Sequence, residues 1–90
     1  MEICAYVLVS ARKGKEEKVR EEISKIDGVK QVHVISRVLS KPAFGGEGLP
    51  YNLIVEVEAE DIRTLSRIIM NKVREVDGVT GTMTMVVVPD

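Results

Sequence analysis

The chain has 90 residues, of which 44% are hydrophobic and 30% charged, with one cysteine. A chain of this length builds one compact domain, and folding covers only about 60–65% of the surface the unfolded chain exposes, so association with another subunit is favoured. Thirteen basic residues against fourteen acidic ones leave a net charge of -1, which gives no field for a nucleic-acid backbone or an anionic membrane surface.

Cys4 to Ala11 is rich in valine, leucine and tyrosine and ends at Arg12-Lys13-Gly14-Lys15, the pattern of a strand followed by a turn. Glu2 stands before it where a secretion signal needs basic residues, and no apolar run reaches the roughly 18–20 residues of a membrane helix. With Cys4 unable to form an internal disulfide, a soluble protein of the reducing cytoplasm is expected. The spacing of Val19, Ile23 and Ile26 predicts an amphipathic helix over Lys15 to Ile26. Glu16 and Arg20, like Glu21 and Lys25, stand four apart with the acid first, the favourable order for exposed pairs. Asp27-Gly28 then stops the helix, because glycine accepts the left-handed backbone of a helix end.

A second strand is expected from Val29 to about Val38. Ser40 to Pro50 holds three glycines and two prolines and reads as a loop or long hairpin tip. Its Gly45-Gly46-x-Gly48 lacks the preceding strand, following helix and Lys-Ser/Thr that give phosphate-binding loops their meaning. Tyr51 to Ala59 alternates Leu53, Val55 and Val57 with Asn52, Ile54, Glu56 and Glu58, a third strand with one wetter face. Asp61 is placed to cap a helix from Ile62 to about Val76, with Leu65, Ile69, Val73 and Val76 inward. Asp77-Gly78 ends that helix. Val79 to Val88 forms the last strand, with Thr80, Thr82 and Thr84 on one side and Gly81, Met83 and Met85 on the other, before Pro89 breaks it.

Ile26-Asp27-Gly28-Val29 and Val76-Asp77-Gly78-Val79 differ by one fixed offset (76 − 26 = 50), which also aligns Val19 with Ile69 and Ile23 with Val73. One β-α-β unit therefore occurs twice. Two such right-handed units interleave as an α+β, ferredoxin-like β-α-β-β-α-β fold: a four-stranded antiparallel sheet with both helices on one face. The other face of such a sheet is ordinarily polar. Here Cys4, Tyr6 and Leu8 on one side and Ala5, Val7 and Val9 on the other make both faces of the first strand apolar, and the last strand adds Met83, Met85 and Val87 opposite Val86 and Val88. A second copy packing sheet to sheet, as a barrel-like homodimer, is the economical cover, with a fold-back of the loop carrying Phe44 as the alternative.

Ala5-Tyr6-Val7, Gly28-Val29, Glu60-Asp61, Gly78-Val79 and Thr82-x-Thr84 together resemble the effector, or RAM, domain of the Lrp/AsnC (feast/famine) regulators over nearly the whole chain. Gly48-Leu49-Pro50-Tyr51-Asn52-Leu53 stands where that family has a Gly-x-Tyr-Asp turn, but with one extra residue and asparagine for aspartate, and Ser40 to Glu47 is longer than the family's hairpin. The resemblance implies one domain over residues 1–90, without the helix-turn-helix that usually precedes it. It implies a non-catalytic sensor of an amino acid or related metabolite, assembled as a homodimer or larger oligomer, partnered with full-length regulators and not reading DNA itself. It points to Gly48, Tyr51, Asn52, Thr82 and Thr84 as the effector site. Glycine permits close backbone approach, while asparagine and threonine offer donors and acceptors to an α-amino or carboxylate group. The plainer reading makes these residues a turn, its side-chain hydrogen bond and ordinary strand threonines.

His33, the one histidine, has no Cys or His partner at metal-ligand spacing, so neither a metal nor another cofactor is expected. A dimeric ferredoxin-like oxygenase or isomerase using His33 is the competing enzyme reading, since one architecture hosts many chemistries. An RNA-recognition module shares the element order but needs more stacking aromatics than Tyr6 and Tyr51.

Overall fold

The computed structural model describes residues 2–36 and 51–88. Its elements run β1 (Ile3–Ala11), α1 (Glu16–Ser24), β2 (Val29–Val34), β3 (Leu53–Ala59), α2 (Ile62–Ile68, followed by a wider helical turn over Ile69–Val73) and β4 (Val79–Val86). The sheet order is β2-β3-β1-β4 with antiparallel neighbours throughout, the split β-α-β arrangement expected from the repeat. The Ser40 to Pro50 loop, and with it Phe44 and Gly48, lies outside the described residues.

Alternation decides the core. Ala5, Val7, Val9 and Ala11 of β1 and Leu53, Val55, Val57 and Ala59 of β3 are buried on one face, against Val19 and Ile23 of α1 and Leu65, Ile69 and Val73 after β3. These are the positions a period of two on the strands and of three to four on the helices places inward. No buried polar side chain occurs among the described residues, so packing of aliphatic groups carries the interior.

The repeat holds down to individual hydrogen bonds. Val29 N–H bonds Ile26 O at 3.1 Å, and Val79 N–H bonds Val76 O at 3.1 Å. Gly28 and Gly78 both take positive φ, 98° and 100°, where a side chain is strained. Each also sits against its neighbours: a Cβ on Gly28 would lie 2.8 Å from Ile68 Cδ1, and one on Gly78 2.9 Å from Val19 Cγ2. Each carbonyl ties the turn to the other unit, Gly28 O accepting from Glu58 N–H at 2.9 Å and Gly78 O from Arg12 N–H at 2.7 Å.

Four local expectations are corrected. Helix α1 pairs its charges three apart and not four, Arg20 with Glu17 at 2.9 Å and Lys25 with Glu22 at 3.5 Å, while Glu16 accepts from Gly14 N–H. Strand β2 ends at Val34, although Ile35 N–H still reaches Asn52 O at 2.8 Å. Strand β3 starts at Leu53, after the Asn52 side chain has turned to the β1 backbone. The second helix is not regular to Val76: Asp61 caps it through Thr64 N–H at 2.7 Å, but after Ile68 the ladder slips, and Arg74 N–H bonds Ile69 O five residues back.

Candidate functional site

Two places on the sheet stand out, one face and one end. On the face away from the helices, β1 presents Cys4, Tyr6 and Leu8, β3 presents Ile54, Glu56 and Glu58, and β4 presents Met83 and Met85, paired with Leu8 and Tyr6. Val87 N–H bonds Cys4 O at 2.9 Å and continues the row. Tyr6, Met83, Met85 and Val87 are each 39–43% exposed, and Cys4, Leu8 and Ile54 are half-buried. The face is apolar over β1 and β4 and turns acidic over β3, where Lys30 Nζ lies 3.6 Å from Glu58.

Cys4, Glu56 and Glu58 bring one donor atom each within 4.8 Å of one another. Desolvation, and after it the two carboxylates, push the Cys4 thiol up, which favours the neutral thiol over the thiolate that reactivity requires. His33 is exposed on the edge strand β2, on this same face, with Nε2 3.0 Å from Gln31 Oε1. Its neighbour on β3 is Ile54, so the geometry joins it to an amide and an aliphatic side chain.

The end of the sheet gathers most of the residues expected to bind a ligand. Asn52 N–H donates to Val9 O at 2.9 Å, while its side chain grips Ala11: Oδ1 accepts from Ala11 N–H at 2.8 Å and Nδ2 donates to Ala11 O at 3.2 Å. Tyr51 precedes it, half-buried. On the opposite flank of β1, Thr82 is paired with Val9. Asn52 and Thr82 therefore stand two strand spacings apart, about 9–10 Å, on either side of the end of β1. Ser10 lies between these flanks, and Thr80 Oγ1 donates to its carbonyl at 3.1 Å and meets its hydroxyl at 2.9 Å.

Thr84 is a rung further along, opposite Val7, and faces α2. There it borders a groove of about 140 Å³ with Val86 of β4 and Ile62, Leu65, Ser66, Ile69 and Met70. Gly48 lies outside the described residues. The structure thus brings Tyr51, Asn52 and Thr82 to one end of the sheet and leaves Thr84 beside the groove. The pair of hydrogen bonds between Asn52 and Ala11 was foreseen only as a side-chain turn bond, because the partner is 41 residues away in sequence. Ile62 and Met70, both about half exposed at the groove, were missed; their apolar character within a helical stripe was the available signal.

No family model matches the chain. An uncharacterised HTH-type transcriptional regulator of Pyrococcus abyssi is 38% identical over 68 residues, covering 76% of this chain and 37% of that protein. The chain spans little more than a third of the length of the curated relatives it matches. Among solved structures, FFRP-DM1 gives a TM-score of 0.75 at 29% identity, over 96% of this chain and 99% of that one. AsnC of E. coli gives 0.77 at 13% identity, over 98% and 52%. The transcriptional regulator NMB0573 of Neisseria meningitidis, solved as a complex with L-Met, gives 0.70 at 16% identity, over 98% and 51%. The last two likenesses concern the fold alone.

Fold, open sheet face and sequence matches define a ferredoxin-like domain of the kind found in transcriptional regulators. The chain is an Lrp/AsnC-like domain.

Proposed function

We propose that this domain senses an amino acid or related small metabolite and drives self-association in transcriptional control, in the cytoplasm, without catalysis and without touching DNA itself. The observation that carries the reading is the open sheet face, where Tyr6, Met83, Met85 and Val87 form an apolar patch with Cys4, Leu8 and Ile54. Monomers seldom leave such patches uncovered. A second copy places an identical patch about 10 Å away, the spacing of stacked sheets, and joins like to like. Full-length regulators carrying the same type of domain are candidate heterologous partners on the same grounds.

The effector is assigned to the end of β1, among Tyr51, Asn52 and Thr82, with Gly48, shortly before them in sequence, as a further candidate, and with Thr84 a rung away beside the groove. Asn52 has capacity left: an amide offers two hydrogens and two lone pairs, and Ala11 takes one of each. The remaining N–H and lone pair suit a ligand that carries both a carboxylate and an ammonium group. The L-Met complex of the Neisseria meningitidis regulator supports that ligand class.

Titration calorimetry with the proteinogenic amino acids, L-Met included, tests the assignment. Binding by at least one, weakened about tenfold or more by Thr82→Val, is the expected result. Silence from the whole panel removes the sensing reading. Thr82→Val is preferred to Asn52→Ala here, because loss of Asn52 also unties β3 from Ala11.

A further inference from the structure

The spacing of Cys4 and His33 along the chain predicts no metal centre, but the sheet gives Cys4 neighbours that spacing does not reveal. In the ladder between β1 and β3, Cys4 is paired with Glu58 and Tyr6 with Glu56. Cys4 therefore meets one carboxylate directly and the other on the diagonal, and alternation puts all three side chains on the open face. One donor atom from each lies within 4.8 Å of the others, and all three residues are half-buried. The backbone beneath them is tied on both sides, Glu58 N–H donating to Gly28 O at 2.9 Å and Cys4 O accepting from Val87 N–H at 2.9 Å.

Size and charge both suit a divalent ion. A tetrahedral ion with bonds of about 2.0–2.3 Å needs its donors about 3.3–3.5 Å apart. Rotation of the two glutamate side chains closes that difference without moving the strands. A thiolate and two carboxylates carry three negative charges, and Lys30, with Nζ 3.6 Å from Glu58, returns one. A divalent cation then makes the cluster neutral. Desolvation, and after it the two carboxylates, keep the thiol protonated; a cation between the three opposes the second of these effects. Magnesium and calcium take sets of six or more oxygens, whereas sulfur with oxygen beside it suits zinc.

We propose that Cys4, Glu56 and Glu58 form a zinc site on the open face, the Cys4 thiolate and one oxygen of each glutamate being three ligands and water the fourth. The thiol proton passes to solvent as the zinc–sulfur bond forms. Structural zinc sites close all four positions with protein groups, so a site of three ligands and a water holds an ion that exchanges with its surroundings. Such a site makes the domain responsive to zinc. The proposal rests neither on amino-acid sensing nor on association through this face.

Cobalt(II), a spectroscopic substitute for zinc, tests the site on the full chain, freed of metal by a chelator and kept reduced. One cobalt per chain is expected, with a thiolate-to-cobalt charge-transfer band in the near ultraviolet that equimolar zinc abolishes. Cys4→Ser should remove the band. Glu56→Gln and Glu58→Gln should each weaken cobalt binding about tenfold or more, while His33→Gln, on the same face, should leave it unchanged. Circular dichroism shows that each variant is folded. No band in the wild type overturns the site, as does a band that zinc does not displace. So does a band that survives in the Glu56→Gln, Glu58→Gln double variant or that disappears with His33→Gln. One cobalt per two chains also overturns it, because thiolates of two copies would then be the ligands.

Discussion

The two β-α-β units of this domain agree in their turns and disagree in their outer strands. Both helices end in Asp-Gly with the same backbone hydrogen bond and nearly the same positive φ, and both insert equivalent aliphatic residues into one core. Yet β2 carries Lys30, Gln31 and His33, while β4 is uncharged, with Met83 and Met85 on the open face and Thr82, Thr84 and Val86 on the other. What is common to the two units makes the fold, and what differs makes a surface for other molecules. The helices differ as well: α1 is a regular run from Glu16 to Ser24, whereas the second relaxes into a wider turn at Ile69, one wall of the groove.

Core truncation gives the largest test of that comparison. Ile23→Ala removes a fully buried side chain from the regular helix and should cost about 4 kcal/mol, whereas Ile69→Ala, at the looser turn, should cost about 3 kcal/mol because its surroundings can close in. Urea titrations followed by circular dichroism, at one fixed chain concentration, measure both. Equal costs would mean that the wide turn is as rigid as the regular helix.

The glycine stops should be equivalent. Gly28→Ala and Gly78→Ala each combine a positive φ with a close contact and should each cost about 2 kcal/mol in the same titrations. A cost confined to one of them would break the symmetry of the units.

A smaller effect concerns the helix starts. Lys15 offers α1 no side-chain cap, while Asp61 accepts from Thr64. That bond from the Thr64 amide, and after it the Thr64 side chain, hold the Asp61 carboxyl below its usual range. A carboxyl lowered by folding stabilises the fold above its unfolded value, and the benefit is lost as pH falls through the lower folded value. Melting curves should therefore lose part of their midpoint below about pH 4, and Asp61→Ala should remove that part of the pH dependence. Smallest for folding is Tyr6→Glu, within about 0.5 kcal/mol in the isolated subunit because Tyr6 is already 39% exposed, although it should abolish contact through the open face.

The architecture was legible because it rests on short-range signals: alternation in β1 and β3, the spacing of Val19 and Ile23, and two Asp-Gly stops. The apolar outer patch was legible for the same reason, since Cys4, Tyr6 and Leu8 must share a face whatever lies opposite. Less was visible where distant segments meet. Nothing local in Asn52 names Ala11 as its partner, and the slip after Ile68 leaves the helical pattern of Leu65, Ile69 and Val73 intact. Thr82 and Thr84 were rightly placed on one side of β4, but that this side faces the α2 groove depends on how far the helix reaches across the sheet.

The lone Cys4 lies on the open face and reports directly on whether a second copy covers it. Its reaction with a disulfide reagent at pH 8, followed over chain concentrations from nanomolar to tens of micromolar, needs no substitution. Reaction that slows steeply as concentration rises is the predicted result, since a covering sheet excludes the reagent; one rate at all concentrations would contradict association through this face.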